Sequence, residues 1–229
     1  MNRTPRSTKK KRPKRKINPA RRAEIGLEKR ARTRQAVLKA AFELLGRERG
    51  LTTRIEEIIS VAEVSRGTFY NYFTGMEDVF DALQYELNHQ FNQSVITLVS
   101  KVPEAAERAG AAIRYYLGRA RQDPKWGWAM VNISAGGIIF GAETYAQAQL
   151  TVEEGISSGE FELTAPNSGR DMLLGTTLAA MVTQLRTHQP EGYAAAVARH
   201  VLRGMGVAPE KVEKIIKRPL IDAGKPHPL

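Results

Sequence analysis

From Val37 to Ile216 apolar side chains return every three or four residues, and nowhere does an apolar–polar alternation last the length of a strand. A chain whose buried positions repeat with the helical period must build its core by packing helix on helix, so the expected fold is all-α. The interruptions are equally legible: Gly50, Pro103, Asp123-Pro124, Ser158-Gly159, Ala165-Pro166-Asn167 and Gln189-Pro190. They predict helices over about 33–49, 53–62, 66–73, 74–102, 104–121, 125–140, 142–157, 168–187, 191–204 and 209–217. No internal repeat is present. At 229 residues and 42% hydrophobic content the chain can bury a substantial core in one or two domains.

The charge is unevenly spread. Net charge is +11, yet residues 1–34 hold fifteen Lys or Arg against Glu24 and Glu28, a net of +13, which leaves −2 for the rest. The division is therefore a basic arm (1–32), a small head (33–79), a larger body (80–218) and a proline-containing tail (219–229). Residues 1–19 combine like charges with Thr4-Pro5, Arg12-Pro13 and Asn18-Pro19. They cannot bury enough surface to offset their ordering entropy, so this part is expected to be disordered alone. Helix formers replace the prolines over 20–32, which can become helical, for instance against DNA. Such an arm can follow a nucleic acid, lie on an acidic membrane surface or stay solvated without function. The scarcity of aliphatic and aromatic residues argues against lipid.

Several classes are excluded by what is missing. With no cysteine there is no disulfide, thiolate metal site or cysteine nucleophile, and the four histidines form no ligand motif. No nucleophile elbow, phosphate loop or dinucleotide fingerprint occurs, so neither an enzyme nor a cofactor is expected. The longest uncharged run, Trp126–Ala142, is too short and too rich in glycine and polar groups to span a bilayer. There is no apolar stretch behind the basic N-terminus to make a secretory signal, and a cytoplasmic protein is expected.

The head carries the clearest local signals. Thr53 and Glu56 are spaced as a capping box, followed by an apolar stripe at Ile55, Ile58, Ile59 and Ala62. Ser65 can cap the next helix, with Val64 and Phe69 placed as a hydrophobic staple, and Thr74 with Glu77 opens the fourth. Two short helices across a tight turn suit the DNA major groove, which admits one helix by its N-terminal end. Arg66 can pair with guanine and Asn71 with adenine; Gly67 permits close backbone approach. Thr68, Tyr70 and Tyr72 offer hydroxyls to phosphates, which fix register without carrying sequence information. An ordinary helical corner with surface tyrosines would show the same spacing.

The run Thr53-Arg54-Ile55-Glu56-Glu57-Ile58-Ile59-Ser60-Val61-Ala62-Glu63-Val64-Ser65-Arg66-Gly67-Thr68-Phe69-Tyr70-Asn71-Tyr72-Phe73 resembles the TetR/AcrR family of bacterial transcriptional regulators. The resemblance implies base or close-backbone contacts from Arg66, Gly67 and Asn71, and phosphate contacts from Thr68, Tyr70 and Tyr72. It implies a double-stranded DNA operator, a homodimer and a helical body that binds a small molecule. There are two departures. Glu63 stands where the family usually has glycine, and should cost about 1 kcal/mol if φ there is positive. Met76 stands where a lysine usually meets a phosphate, a contact the basic arm can replace.

In the body, Leu174, Leu178, Met181, Val182, Leu185, Val197 and Val201 are candidates for a two-helix dimer face, or for an internal core helix. Tyr116, Trp126, Trp128, Met130, Phe140 and Met172 can line a cavity for a hydrophobic effector, or can fill a core. Helix four is the expected lever between body and head. The leading functional expectation is a sequence-specific regulator, with repressor preferred by family habit. The other is an architectural, non-specific DNA-binding protein working through the arm.

Overall fold

A computed structural model describes residues 19–99 and 101–220. The residues before Pro19, whose disorder the sequence suggests, and most of the tail lie outside the described residues. The helices are α1 (Pro19–Leu45), α2 (Ile55–Val61), α3 (Arg66–Tyr70), α4 (Met76–Val99), α5 (Ala105–Gln122), α6 (Pro124–Gly136), α7 (Ala142–Ser157), α8 (Pro166–Arg186), α9 (Tyr193–Gly204) and α10 (Pro209–Lys217), with a 3₁₀ turn at Gly50–Thr52. No strand occurs among the described residues, and none of their helices is long and apolar enough to cross a membrane.

Several helix ends differ from the sequence expectation by a few residues, α1 ending at Leu45 and α3 at Tyr70 among them, and two further shifts bear on the architecture. Helix α1 starts at Pro19, well before Thr33, because nothing from Ala20 onward breaks it. Helix α6 stops at Gly136, short of residue 140. There Gly136-Gly137 releases the chain into a link in which Phe140 and Gly141 take φ of 56° and 88°, and the Phe140 amide donates to Ser134 Oγ at 3.1 Å.

In the head, α1, α2 and α3 enclose Val37, Leu38, Ala41, Leu45, Ile58, Phe69 and Phe73, all buried. In the body, α5 is central and packs most extensively on α9, and further on α8, α6 and α7; α7 and α8 also lie together. Head and body meet through α4 and, beyond the sequence expectation, through α6. Asn132 on α6 is 4% exposed and donates at 2.8 Å each to the carbonyl of Leu45, the last residue of α1, and to that of Arg47, which also accepts from the Gly50 amide at 2.9 Å. Arg186 pairs with Glu48 at 2.9 Å, and Lys125 with Glu43.

One carboxylate ties three parts of the body together. Glu160, between α7 and α8, accepts from the Ala105 and Ala106 amides at the start of α5 and from Lys211 of α10, at 2.9, 3.2 and 3.0 Å. Burial raises its pKa, but these charge-assisted bonds outweigh burial and hold it below the ordinary glutamate value. Its stabilisation is thus present above the unfolded-state pKa and is lost as pH falls through the depressed folded value. Glu160→Gln is expected to lower stability by about 1–3 kcal/mol at pH 7. Urea unfolding at a series of pH values should show the gap to wild type closing as pH drops below about 4.5; a gap independent of pH down to acid unfolding would contradict this role.

Candidate DNA-reading head and effector cavity

Helix α3 is only five residues long, and its start is fixed by Ser65, whose Oγ accepts from the Thr68 amide at 3.0 Å. The expected cap is therefore present. At α2 and α4 the capping frames slide by one residue. Glu57, not Glu56, accepts the Arg54 amide at 2.8 Å, and Asp78, not Glu77, accepts the Thr74 amide and hydroxyl at 2.7 and 2.6 Å. Those two bonds lower the Asp78 pKa.

The geometry separates an inward from an outward face. Phe69 and Phe73 are buried, while Arg66, Gly67, Tyr70 and Asn71 are exposed and Thr68 and Tyr72 are half-buried. Arg66 lies 3.4 Å from Glu56 of α2 and over the Tyr70 ring at 5.8 Å, in a pair so exposed that it is worth less than about 1 kcal/mol. It can thus be exchanged for an external acceptor. A Cβ added at Gly67 would meet only Ser65 Oγ, at 4.0 Å. Nothing inside the chain demands glycine there, which leaves the space to a partner. Thr68 is already engaged, its hydroxyl 2.8 Å from that of Ser65.

Glu63, in the turn between α2 and α3, has φ of 53°. This is the left-handed conformation that would make glycine the cheaper residue. Glu63→Gly is expected to stabilise the fold by about 1 kcal/mol, raising the thermal midpoint by about 2–4 °C. An unchanged or lower midpoint would contradict the strain.

In the body, an apolar cavity of about 60 Å³ lies between α4, α5, α7 and α8. Val95, Ile96 and Val99 form one wall, Ala109, Ala112, Ile113 and Tyr116 another, and Thr144, Gln147, Ala148, Thr151, Leu173, Leu174 and Thr177 the remainder, with Phe140 at one end. Of the six residues expected to line it, Tyr116 and Phe140 do. Trp126 and Met130 instead lie in the packed core, 1% and 0% exposed. Trp126 sits behind the cavity wall, with ring centroids 6.2 Å from Tyr116 and 5.3 Å from Phe91. Its indole N–H has no acceptor among the described residues, and Arg119 lies over its ring at 5.4 Å. Trp128 and Met172 are half-buried and outside the lining, Met172 against Gly204 of α9.

Most polar groups on the cavity wall are already matched. Arg108 donates to the carbonyls of Val102 and Pro103 at 3.0 and 2.8 Å and pairs with Glu154. Thr151 and Thr177 donate to carbonyls of their own helices at 2.9 and 2.7 Å. Tyr116 shares a hydrogen bond with Thr144 at 2.9 Å, and burial pushes its pKa up, so the hydroxyl keeps its proton.

The residues expected on a dimer face are divided by the fold. Leu174 lines the cavity, and Met181, Val197 and Val201 are buried within the protomer, where they have little surface left for a partner. Leu178, Val182 and Leu185 are half-buried, and Leu185 lies against Gly127 of α6. An apolar helical stripe shows that a face is covered, but not by which neighbour.

Comparison with known proteins follows the same division into head and body. Residues 37–83 match the family model described as "Bacterial regulatory proteins, tetR family", and residues 104–218 match "Tetracyclin repressor-like, C-terminal domain". No curated protein matches the chain. Solved structures include RolR in complex with resorcinol, 24% identical with a TM-score of 0.68, covering 86% of this chain and 100% of that one. FadR from Bacillus subtilis in complex with stearoyl-CoA is 21% identical with a TM-score of 0.58, covering 75% of this chain and 96% of its own. A tetR family transcription regulator from Shewanella sp. PV-4 is 19% identical with a TM-score of 0.60, covering 76% and 97%. At these identities the structures share the fold. Since the two family matches take in the DNA-reading head and the body with its cavity, this chain belongs to the TetR family of bacterial transcriptional regulators.

Proposed function

We propose that the chain works as a homodimeric, sequence-specific repressor that leaves its operator when a small, neutral, apolar effector occupies the body. The carrying observation is the Ser65-capped helix that hides Phe69 while presenting Arg66, Gly67 and Asn71 outward. A single recognition helix this short touches too few base pairs to select a site, so two heads on two half-sites are needed. The outer side of α8 supports a partner: no charge occurs between Asp171 and Arg186, and Thr176, Ala179 and Thr183 are exposed. Helix α9 packs beside it. The named wall groups that are already matched support a neutral effector. An ionised ligand would give up its hydration there without gaining an unpaired counter-charge.

The test is competition for binding. A selected duplex should displace bulk DNA by about a thousandfold or more, and apolar compounds that raise the thermal midpoint should release the chain from that duplex. Leu174→Trp, which fills the cavity, is expected to abolish release while leaving duplex affinity within about threefold. Retained release in this variant would move the effector elsewhere, and equal affinity for all DNA would end the operator reading.

A further inference from the structure

The N-terminal part of α1 lies outside the packed head. Between Arg21 and Arg32 every residue whose side chain is described is exposed, whereas Arg34 pairs with Glu86 at 3.3 Å and lies over the Phe73 ring at 5.8 Å, and Val37 and Leu38 are fully buried. The residues from Pro19 to Arg32 therefore continue the helix outward by about 20 Å. Ile25 and Leu27 are 44% and 68% exposed and sit two positions apart, so they do not share a face. The described side-chain support is local and exposed: Arg32 lies 4.0 Å from the Glu28 carboxylate and donates to the Glu28 carbonyl at 3.4 Å, and Thr33 donates to the Lys29 carbonyl at 3.0 Å, contacts that are worth little. A helix of this length with no packed face is marginal in water.

What the segment does carry is positive charge. Arg21, Lys29, Arg30 and Arg32 are exposed against Glu24 and Glu28, and nine further Lys or Arg with no acidic residue precede Pro19 in the sequence. Its point of departure is informative as well, because Phe73, beneath Arg34, closes the recognition segment three residues after the end of α3.

We propose that Pro19–Arg32 is a second DNA-contacting element, a helix lying along the phosphates that flank each half-site and supplying affinity without base choice. The inference rests on the operator reading above. The partner it fits is a duplex extended beyond the bases that α3 reads. A rod of about 20 Å reaches along about six base pairs of flank. An apolar stripe for lipid is absent.

The experiment uses the full chain on the selected operator, with no flanks or with about ten base pairs of flank on each side, across about 50 to 200 mM salt. Wild type should bind the flanked duplex at least tenfold more tightly. A variant with Arg21, Lys29, Arg30 and Arg32 all changed to Gln should lose that gain. Its slope of log affinity against log salt should become shallower by about 0.9 for each phosphate no longer neutralised, up to about 7 for two protomers. Its ranking of operator sequences and its thermal midpoint should not change. A variant with the three arginines changed to Lys should keep both the gain and the slope.

Identical slope and flank dependence in the Gln variant, with operator preference intact, would overturn the inference while sparing the operator reading. So would loss of binding to phosphatidylglycerol vesicles in that variant with no change on DNA. Failure of the wild-type chain to prefer any sequence would overturn both.

Discussion

Replacing Trp126 with alanine is expected to lower folding stability by about 3–5 kcal/mol, the range for a large aromatic removed from a packed core. Trp126 is 1% exposed and touches Phe91 and Tyr116 across ring contacts, so the void would open behind the cavity wall. Tyr116, whose ring centroid lies 4.8 Å from that of Phe140, would lose its backing. The unpaired indole N–H makes a second variant informative. Trp126→Phe keeps much of the volume and removes a buried donor that lacks an acceptor, so it should cost less than about half as much. Urea unfolding followed by circular dichroism would measure both. If Trp126→Ala kept wild-type stability, the residue would be lining empty space, as the sequence alone allowed.

The second large effect concerns specificity. Arg66→Ala should relax preference at one base pair by about 1–3 kcal/mol, the discrimination carried by one bidentate contact. The exchange is favourable because Arg66 gives up only an exposed pair with Glu56 at 3.4 Å. Tyr70→Phe supplies the contrast: removing a phosphate partner should weaken all sequences alike. Affinity measured on a duplex series with each position substituted in turn separates the two outcomes. Uniform weakening from Arg66→Ala would assign the arginine to the backbone instead.

The head was more legible in the sequence than the body, for a physical reason. Capping and turn chemistry are local: Ser65 caps α3 and Glu63 takes positive φ, and both follow from residues a few positions apart. Even the capping errors at Glu56 and Glu77 are one-residue shifts, because several acids stand in succession and only the helix start decides which is used.

The cavity is a long-range property. It opens where small side chains such as Ala109, Ala112 and Ala148 face one another across helices, whereas the large residues Trp126 and Met130 fill the space that sequence reading assigned to a ligand. Similarly, the apolar stripes of α8 and α9 are real, but Met181 and Val201 spend them inside the protomer. The α6 connection through Asn132 gave no signal beyond one polar residue in an apolar run, which only a partner 85 or more residues away could explain.

Selecting bound sequences from a random duplex pool with the full chain shows whether the two heads read DNA as a pair. The expected result is two related half-sites in inverted orientation, their centres one or more helical turns apart, with the strongest preference confined to a few base pairs in each. A pool that stays random, or that yields a lone half-site with no symmetric mate, would contradict a paired, groove-reading regulator.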